Sequence, residues 1–175
     1  ELGYVFRIER EIIRVLLFSQ SHIRVGSKLV RTGKMVTIAV GDELKGSVMD
    51  PLGRIISPSS TFRKPSTTRE LVLEPIPLLD KRERVNKPFV TGVTIVDFMV
   101  PLGKGQKEVI VGDRKVGKSS FFFTTVKTQV RENPSQVIVY ALIGKNKSDV
   151  KQLIEKYRSE HLDKNMIFVV STSED

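Results

Sequence analysis

The sequence predicts an α/β domain with a parallel sheet, preceded by a smaller β-rich unit. Two observations support this prediction. After Thr91, apolar strands alternate with amphipathic helices, an order typical of right-handed crossovers onto a parallel sheet. Before residue 57, short β-rich runs alternate with glycine turns, which is typical of a small antiparallel sheet or barrel. The 175 residues suffice for one full domain, or for one domain with part of another.

Composition excludes several classes of protein. The chain has no cysteine, which excludes disulfide scaffolds, thiolate zinc sites and cysteine nucleophiles. Its two histidines, His22 and His161, are far apart in the sequence, so we do not expect a histidine metal site. No apolar run approaches the roughly 18 residues of a transmembrane helix, and residues 1–11 are too charged for a signal peptide. We therefore expect a soluble, intracellular protein.

The first 90 residues are predicted to form two β-rich segments. Residues 1–33 are expected to be part of an N-terminal β-barrel, and residues 34–90 to open the second domain with β-rich runs and a proline-rich connector. The predicted strands are separated by glycine turns and lie at residues 12–18, 28–30, 35–40 and 46–49. Most prolines of the chain lie within residues 57–88, where few side chains could be buried, so we expect an extended connector there.

The elements of the second domain, residues 91–175, follow from their hydrophobic periods. Strands are predicted at residues 108–111, 137–143 and 166–170, and the run 137–143 is apolar enough for burial on both faces. Two amphipathic helices are predicted between these strands, the second with Ser148 as its N-cap. The core-facing residues are Phe122, Phe123, Val126 and Val130 in the first helix, and Val150, Leu153, Ile154 and Tyr157 in the second. This pattern gives Phe121 no role.

A phosphate-binding loop is predicted between the first of these strands and its helix. Residues 112–119 match the motif G-x-x-x-x-G-K-[ST] in the required context, with an apolar strand before it and a helix after it. The predicted fold class is therefore a P-loop α/β nucleotide-binding domain. We expect nucleotide contacts from all eight residues of the loop, which are Gly112, Asp113, Arg114, Lys115, Val116, Gly117, Lys118 and Ser119.

Each fixed position of the motif has a chemical reason. Gly112 and Gly117 permit backbone angles that a Cβ would forbid, so that successive N–H groups can point at phosphate oxygens. The helix that begins near Lys118 adds the positive end of its dipole, and the Lys118 ammonium can reach the outer phosphates. The Ser119 hydroxyl can join the coordination shell of Mg²⁺. The loop therefore predicts a bound nucleotide, held by its phosphates together with Mg²⁺.

The same residues predict binding without turnover. Hydrolysis needs a carboxylate near the γ-phosphate to orient the attacking water, and an Asp or Glu after a buried strand helps to hold Mg²⁺. The run 137–143 is instead followed by Lys145, whose protonated amine cannot accept a proton, and the run 166–170 is followed by Ser171. We therefore assign no catalytic residue.

Several segments resemble the α subunit of F-type ATP synthases. The resemblance is most specific in Lys-Pro-Phe-Val-Thr-Gly (87–92), Val-Pro-Leu-Gly-Lys-Gly-Gln (100–106) and Ile-Val-Gly-Asp-Arg (110–114). Further matches, such as Arg-Thr-Gly (31–33) and Ala-x-Ile-Gly (141–144), extend it over most of residues 25–173. In this family Gly-Asp-Arg at the start of the loop is typical of the α branch, since the β branch has an uncharged, glycine-rich start.

The resemblance implies a non-catalytic subunit in the soluble head of a rotary ATPase, which binds ATP or ADP as its cofactor together with Mg²⁺. Such a subunit alternates with catalytic β-type subunits in a hexamer around a γ-type central stalk, and it has no nucleic-acid partner. It reaches the membrane only through the assembled complex, on the cytoplasmic face of a bacterial membrane or the matrix face of a mitochondrial one. The resemblance also implies a RecA-like nucleotide domain, which is incomplete at residue 175.

Three departures from the family pattern indicate a strongly diverged α-like subunit. Lys115-Val116 replaces the usual Gln-Thr of the loop, Ser119 replaces Thr, and Lys145 stands where the α family usually has Gln and the β family its catalytic Glu. The change at position 145 agrees with the absence of a carboxylate inferred from chemistry alone.

Two other functions stay open on the sequence alone. A Rho-like RNA translocase shares this kind of ATPase core, and the net charge of +9 allows it, but the β-rich segment lacks a basic surface interleaved with stacking aromatics. A catalytic subunit of a related rotary or export ATPase would need a carboxylate where Lys145 stands. Solvated lysines explain the positive charge as well as an acidic or phosphorylated partner does.

Overall fold

The core of the structure is a four-stranded mixed sheet with two helices packed on one of its faces. The computed structural model describes residues 3–18, 23–58, 64–65, 67–70 and 78–172. Its strands are β1 (Gly3–Ile8), β2 (Ile13–Leu17), β3 (Thr37–Val40), β4 (Val48–Met49), β5 (Ile55–Ser57), β6 (Thr67–Glu70), β7 (Pro88–Phe89), β8 (Leu102–Gly103), β9 (Ile138–Lys145) and β10 (Met166–Thr172). Its α-helices are α1 (Thr94–Met99), α2 (Lys118–Glu132) and α3 (Lys147–Ser159).

The four-stranded sheet has the order β5-β4-β10-β9. β10 pairs in parallel with β4 on one side and with β9 on the other, and β5 closes the far edge antiparallel to β4. Because α3 connects β9 with β10, this unit has the predicted strand–helix–strand crossover onto a parallel pair. β4 comes from the predicted antiparallel segment, yet it joins the parallel sheet, since its apolar pair Val48 and Met49 is buried there.

Apolar side chains from α2, α3, β9 and β10 form one core on the helix-covered face. Its buried members are Val48, Val126, Leu142, Val150, Ile154, Tyr157, Leu162, Met166, Phe168 and Val170, with Phe123, Val130, Ile138, Tyr140 and Leu153 packed against them. The predicted core-facing positions of both helices are confirmed, except that Phe122 lies outside this cluster. Phe122 is 39% exposed, and its ring centroid lies 6.2 Å from that of Tyr140.

Tyr157 is the centre of the aromatic part of this core. The side chain is 1% exposed, and the ring centroids of Phe123, Tyr140 and Phe168 lie 5.2, 5.8 and 5.9 Å from its own. Tilted and edge-on contacts of this kind are favourable beyond the area that they bury. Burial is the main cause that raises the pKa of Tyr157, and the neighbouring Tyr140 raises it further. The Tyr157 hydroxyl therefore stays neutral. These contacts fix α2 and α3 on the same face of the sheet.

Residues 108–111 do not form the predicted strand. The segment is irregular, and Val109 and Val111 are 83% and 88% exposed. A parallel strand needs neighbouring strands for its N–H and C=O groups, and within the described residues no strand pairs with this segment. An apolar run therefore does not form a strand here without such a partner.

β9 is buried on one face only, so the prediction of burial on both faces is wrong. Tyr140 and Leu142 face the core, whereas Val139 and Ile143 on the other face are 62% and 79% exposed. β9 is also an edge strand of the sheet. Both helices pack on the same face, and the described part of the chain leaves the opposite face of β9 uncovered.

Three smaller predictions also differ from the structure. Ser148 is not the N-cap of α3, because the helix begins at Lys147 and Asn146 has the extended backbone of an N-cap, with φ −69° and ψ 149°.

The predicted strand at residues 28–30 is irregular in the structure, and glycines with positive φ lie on both sides of it, at Gly26 and Gly33. β6 lies inside the predicted connector and pairs with β3, while residues 59–63, 66 and 71–77 of that connector lie outside the described residues.

The N-terminal region contains antiparallel β structure, as predicted. β1 and β2 form a hairpin, and β3 pairs with β6. A barrel at residues 1–33 and the division of the chain at residues 33 and 90 stay predictions. Among the residues that the structure describes, no helix is long and apolar enough to cross a membrane.

A turn at residues 91–97 is held together by the carboxylate of Asp97. Its Oδ1 accepts hydrogen bonds from the N–H and the hydroxyl of Thr91, at 2.8 and 2.7 Å, and its Oδ2 accepts one from the Gly92 N–H at 2.9 Å. Thr91 is fully buried. The turn therefore has a fixed shape, set by one side chain.

The same turn packs against the C-terminal half of α2. Gln129 Nε2 donates a hydrogen bond to the Val90 carbonyl at 2.7 Å. Gly92 has a φ of +78° and lies so close to α2 that a Cβ there would come within 2.0 Å of the Thr128 hydroxyl oxygen. α2 is thus fixed at this end by the turn and along its length by the aromatic core.

The hydrogen bonds of Asp97 predict a pH-dependent stability. Partial burial raises the pKa of Asp97, but the bonds from Thr91 and Gly92 outweigh this effect and hold the pKa below its ordinary value. The ionised carboxylate therefore stabilises the fold above the ordinary pKa of about 4, and this stabilisation is lost as the pH falls through the lowered pKa.

We expect Asp97→Asn to lower the free energy of unfolding at pH 7, and this difference from the wild type to shrink as the pH falls below about 4. Urea denaturation of both proteins between pH 7 and pH 3 measures it. Asp80→Asn, which alters an exposed carboxylate outside this turn, is the control. A destabilisation by Asp97→Asn that does not change with pH would contradict this account.

Phe168→Ala tests the core. We expect this substitution to lower the free energy of unfolding by about 3–5 kcal/mol, because it leaves a cavity beside Tyr157. Val139→Ala on the uncovered face of the sheet is the matched control, and it should cost less than about 1 kcal/mol. Chemical denaturation gives both values, and similar costs for the two variants would show that the core has been misplaced.

Candidate functional site

The predicted phosphate-binding loop, residues 112–119, joins an irregular segment to the start of α2. Residues 112–117 and Ser119 are exposed, and Lys118 is half-buried, so the loop is open to solvent. α2 begins at Lys118, as predicted, and the Phe121 N–H donates to the Gly117 carbonyl at 2.9 Å in its first turn. The loop motif therefore lies at the N-terminus of a 15-residue helix.

The backbone of the loop explains its two glycines in different ways. Gly117 has a φ of 94° and a ψ of 7°, the left-handed conformation that glycine adopts without strain. Gly112 has no positive φ, so the predicted need for an unusual angle is wrong at this position. There the constraint is space, because a Cβ on Gly112 would lie 2.9 Å from Cγ2 of Val116. Lys115 also has a positive φ, of 66°.

The start of α2 offers unpaired N–H groups to an anion. The N–H groups of residues 118–120, which precede the bonded N–H of Phe121, have no carbonyl partner within the helix, and no side chain caps them. They lie at the positive end of the helix dipole. The first turn has no acidic side chain, so no carboxylate there neutralises this end.

The side chain of Lys118 folds back over the loop. Its Nζ donates hydrogen bonds to the carbonyl oxygens of Gly112 and Asp113. An ammonium group has three N–H donors, so one more partner can be bound without breaking either contact. With Arg114 and Lys115, the loop has three cationic side chains against the single carboxylate of Asp113.

These donors fit phosphate oxygens. Backbone N–H groups, a helix N-terminus and cationic side chains all favour an anion. Within the described residues, no cluster of three or more His, Asp or Glu could hold a metal ion. Ser119, exposed in the first turn of α2, is the loop hydroxyl that could join the shell of a Mg²⁺ held by phosphates.

A cavity of about 370 Å³ lies beside the loop and explains Phe121. The ring of Phe121 lines this cavity together with Val96 of α1 and Val100, the residue after that helix, and it meets the ring of Phe122 edge-on at 5.9 Å. Phe121 therefore packs against neighbouring side chains. Val96 and Val100 are four residues apart in the sequence, and this helical spacing of two apolar residues could have predicted the apolar surface.

The carboxyl ends of β9 and β10 lie at the same edge of the sheet. Lys145 is the last residue of β9, it is exposed, and it pairs with Thr172 of β10. Neither strand contains Asp or Glu. β9 thus extends two residues beyond the predicted strand 137–143, and Lys145, predicted to follow that strand, is its last residue.

The chain is similar to known proteins over nearly its whole length. Residues 92–175 match the ATP synthase alpha/beta family, nucleotide-binding domain. Over 174 residues, 99% of this chain, it is 33% identical to "ATP synthase subunit alpha 2" of Nitrosospira multiformis, of which it covers 33%.

Other relatives have the same kind of name. The chain is 32% identical to "ATP synthase subunit alpha 1" of Paraburkholderia xenovorans over 171 residues, which are 97% of this chain and 32% of the relative. It is 35% identical to "ATP synthase subunit alpha" of Mycoplasmopsis agalactiae over 155 residues, 88% of this chain and 29% of the relative. The chain spans about a third of the length of these relatives. These matches support an F-type, alpha-like member of the ATP synthase alpha/beta family.

Proposed function

We propose that this chain is a non-catalytic, ATP-binding α-type subunit in the soluble head of a rotary F-type ATP synthase or ATPase. The main observation in support is the phosphate-binding motif at the N-terminus of α2, in a chain similar to alpha subunits. The function of the loop is then to hold a nucleotide that supports catalysis at neighbouring β-type subunits.

In the proposed complex, each part of the loop has a defined role toward the nucleotide. The N–H groups of residues 112–119 hold the inner phosphates, and the Lys118 ammonium adds a charge-assisted hydrogen bond to an outer one. Lys118 already donates to two carbonyls of the loop, which places its ammonium over the loop before a nucleotide arrives. A bound Mg²⁺ would neutralise phosphate charge, and Ser119 is the side chain proposed to contact it.

The absence of catalysis follows from the end of β9. A lysine ammonium at position 145 can bind negative charge but cannot accept a proton from an attacking water. The strands β9 and β10 supply no carboxylate for that task. Turnover is therefore proposed to belong to the β-type partners.

The proposed partners follow from the names of the relatives. Each of the relatives above is named as an alpha subunit of ATP synthase. By analogy, we propose an alternating hexamer with β-type subunits around a γ-type stalk, with membrane association only through the assembled complex. The proposed location of the complex is the cytoplasmic face of a bacterial membrane or the matrix face of a mitochondrial one.

Lys118→Ala tests the nucleotide site. We expect a loss of roughly ten-fold to a hundred-fold in affinity for ATP in the presence of Mg²⁺, because the variant loses charge-assisted hydrogen bonds to phosphate. Calorimetric titration of the full-length protein that contains this sequence measures the affinity. Lys164→Ala, an exposed lysine that precedes β10, is the control and should bind as the wild type does. Unchanged affinity in Lys118→Ala would remove the basis of the proposal.

Phosphate release tests the non-catalytic role. We expect the full-length protein alone to bind ATP with Mg²⁺ and to release no phosphate above the buffer rate, because no carboxylate ends β9 or β10. Addition of β-type partner subunits should produce turnover. Steady hydrolysis by the protein without such partners would contradict the assignment.

A further inference from the structure

We infer that Lys145 contacts the outermost phosphate of the bound nucleotide and makes this site prefer ATP to ADP. The inference rests on the proposed function, because it needs a nucleotide in the loop. It depends on where Lys145 lies relative to the N-terminus of α2, and two features of the structure fix that position: a bulge at the end of β9, and the antiparallel packing of α2 on β9.

The bulge lies between Ile143 and Lys145. Ile143 pairs with Ser171, but the next residue of β10, Thr172, pairs with Lys145, so that Gly144 has no partner in the register. Gly144 has a φ of 68°, the left-handed conformation expected for a glycine in a bulge. One extra residue in a strand moves every later side chain to the other face of the sheet.

The bulge therefore moves Lys145 to the helix-covered face. Along regular β9, residue 145 would follow Val139 and Ile143 onto the uncovered face, where both are mostly exposed. Instead, Lys145 lies opposite Thr172, which is in phase with the buried Phe168 and Val170 of β10. α2 packs on that face, so Lys145 and the loop lie on the same side of the sheet.

Lys145 also lies beyond the N-terminus of α2, in the direction that phosphates occupy. Only residues 133–137 join the end of α2 to the start of β9, so the helix runs antiparallel to the strand on which it packs. The rings of Phe122 and Tyr140 mark a common level, with centroids 6.2 Å apart. From that level, Lys118 is four helical residues, about 6 Å, toward the sheet edge. Lys145 is five strand residues in the same direction, about 15 Å, and thus roughly 9 Å past the start of the helix. Its flexible four-carbon stem can reach back toward the helix end.

The Lys145 ammonium is available for this contact. The side chain is exposed, and no ion pair involves it within the described residues. The N–H groups of the loop serve the inner phosphates and Lys118 serves an outer one, so the outermost phosphate of a triphosphate can take a second cationic donor. A triphosphate extends one group farther than a diphosphate, and Lys145 adds a positive charge where only the triphosphate reaches.

The test compares the affinities of ATP and ADP in the full-length protein, by calorimetric titration with Mg²⁺. We expect Lys145→Gln to weaken ATP binding roughly ten-fold while ADP binding stays within two-fold of the wild type, since one charge-assisted hydrogen bond is lost. Lys145→Arg should retain most of the preference for ATP. Lys164→Gln, which removes the same charge at the opposite edge of the sheet, is the matched control and should change neither affinity.

The outcomes separate this inference from the proposed function. If Lys118→Ala abolishes binding but Lys145→Gln changes neither affinity, or weakens ATP and ADP equally, the inference is overturned and the nucleotide site stands. If the wild type binds neither nucleotide, both are overturned. A loss confined to ATP in Lys145→Gln, absent from Lys164→Gln, supports the inference, and unchanged ADP affinity shows that the variant is folded.

Discussion

The packing of α2 on one face of the sheet is the constraint on which the rest of the structure depends. Aromatic contacts such as Phe123 with Tyr157 hold the helix along its length, and the Gln129 hydrogen bond to Val90 holds its C-terminal half. The N-terminus of the helix is thereby fixed at the edge of the sheet where β9 and β10 end. A loop that binds phosphates through N–H groups depends on such a fixed helix end, because the positions of those donors must be set before binding.

Features encoded by local patterns could be predicted from the sequence. A helix that packs on a sheet repeats its apolar residues every three or four positions, so Val150, Ile154 and Tyr157 identified the buried face of α3 without any knowledge of its partners. The phosphate-binding loop could likewise be predicted from a local pattern. Its motif requires a left-handed residue just before the helix, and Gly117 has this conformation.

Features that depend on distant partners could not be predicted. Residues 109–111 and 137–143 are both continuous apolar runs, yet the first is irregular and most of the second lies in an edge strand. What separates them is the presence of a neighbouring strand, and sequence runs do not specify neighbours. For the same reason, the pairing of Val48 with Phe168 of β10 was missed, since the two residues are far apart in the chain.

The end of β9 depends both on a local pattern and on a distant partner. A one-residue register shift there changes the face of the sheet on which a side chain lies. The sequence placed a lysine at the strand end, but its face depends on the bulge at Gly144, which only the pairing with β10 reveals. In the proposed site, this lysine replaces a proton acceptor with a fixed positive charge. Tighter binding of a triphosphate and the absence of its hydrolysis are then two consequences of the same side chain, because the ammonium that attracts the outer phosphate cannot activate a water beside it.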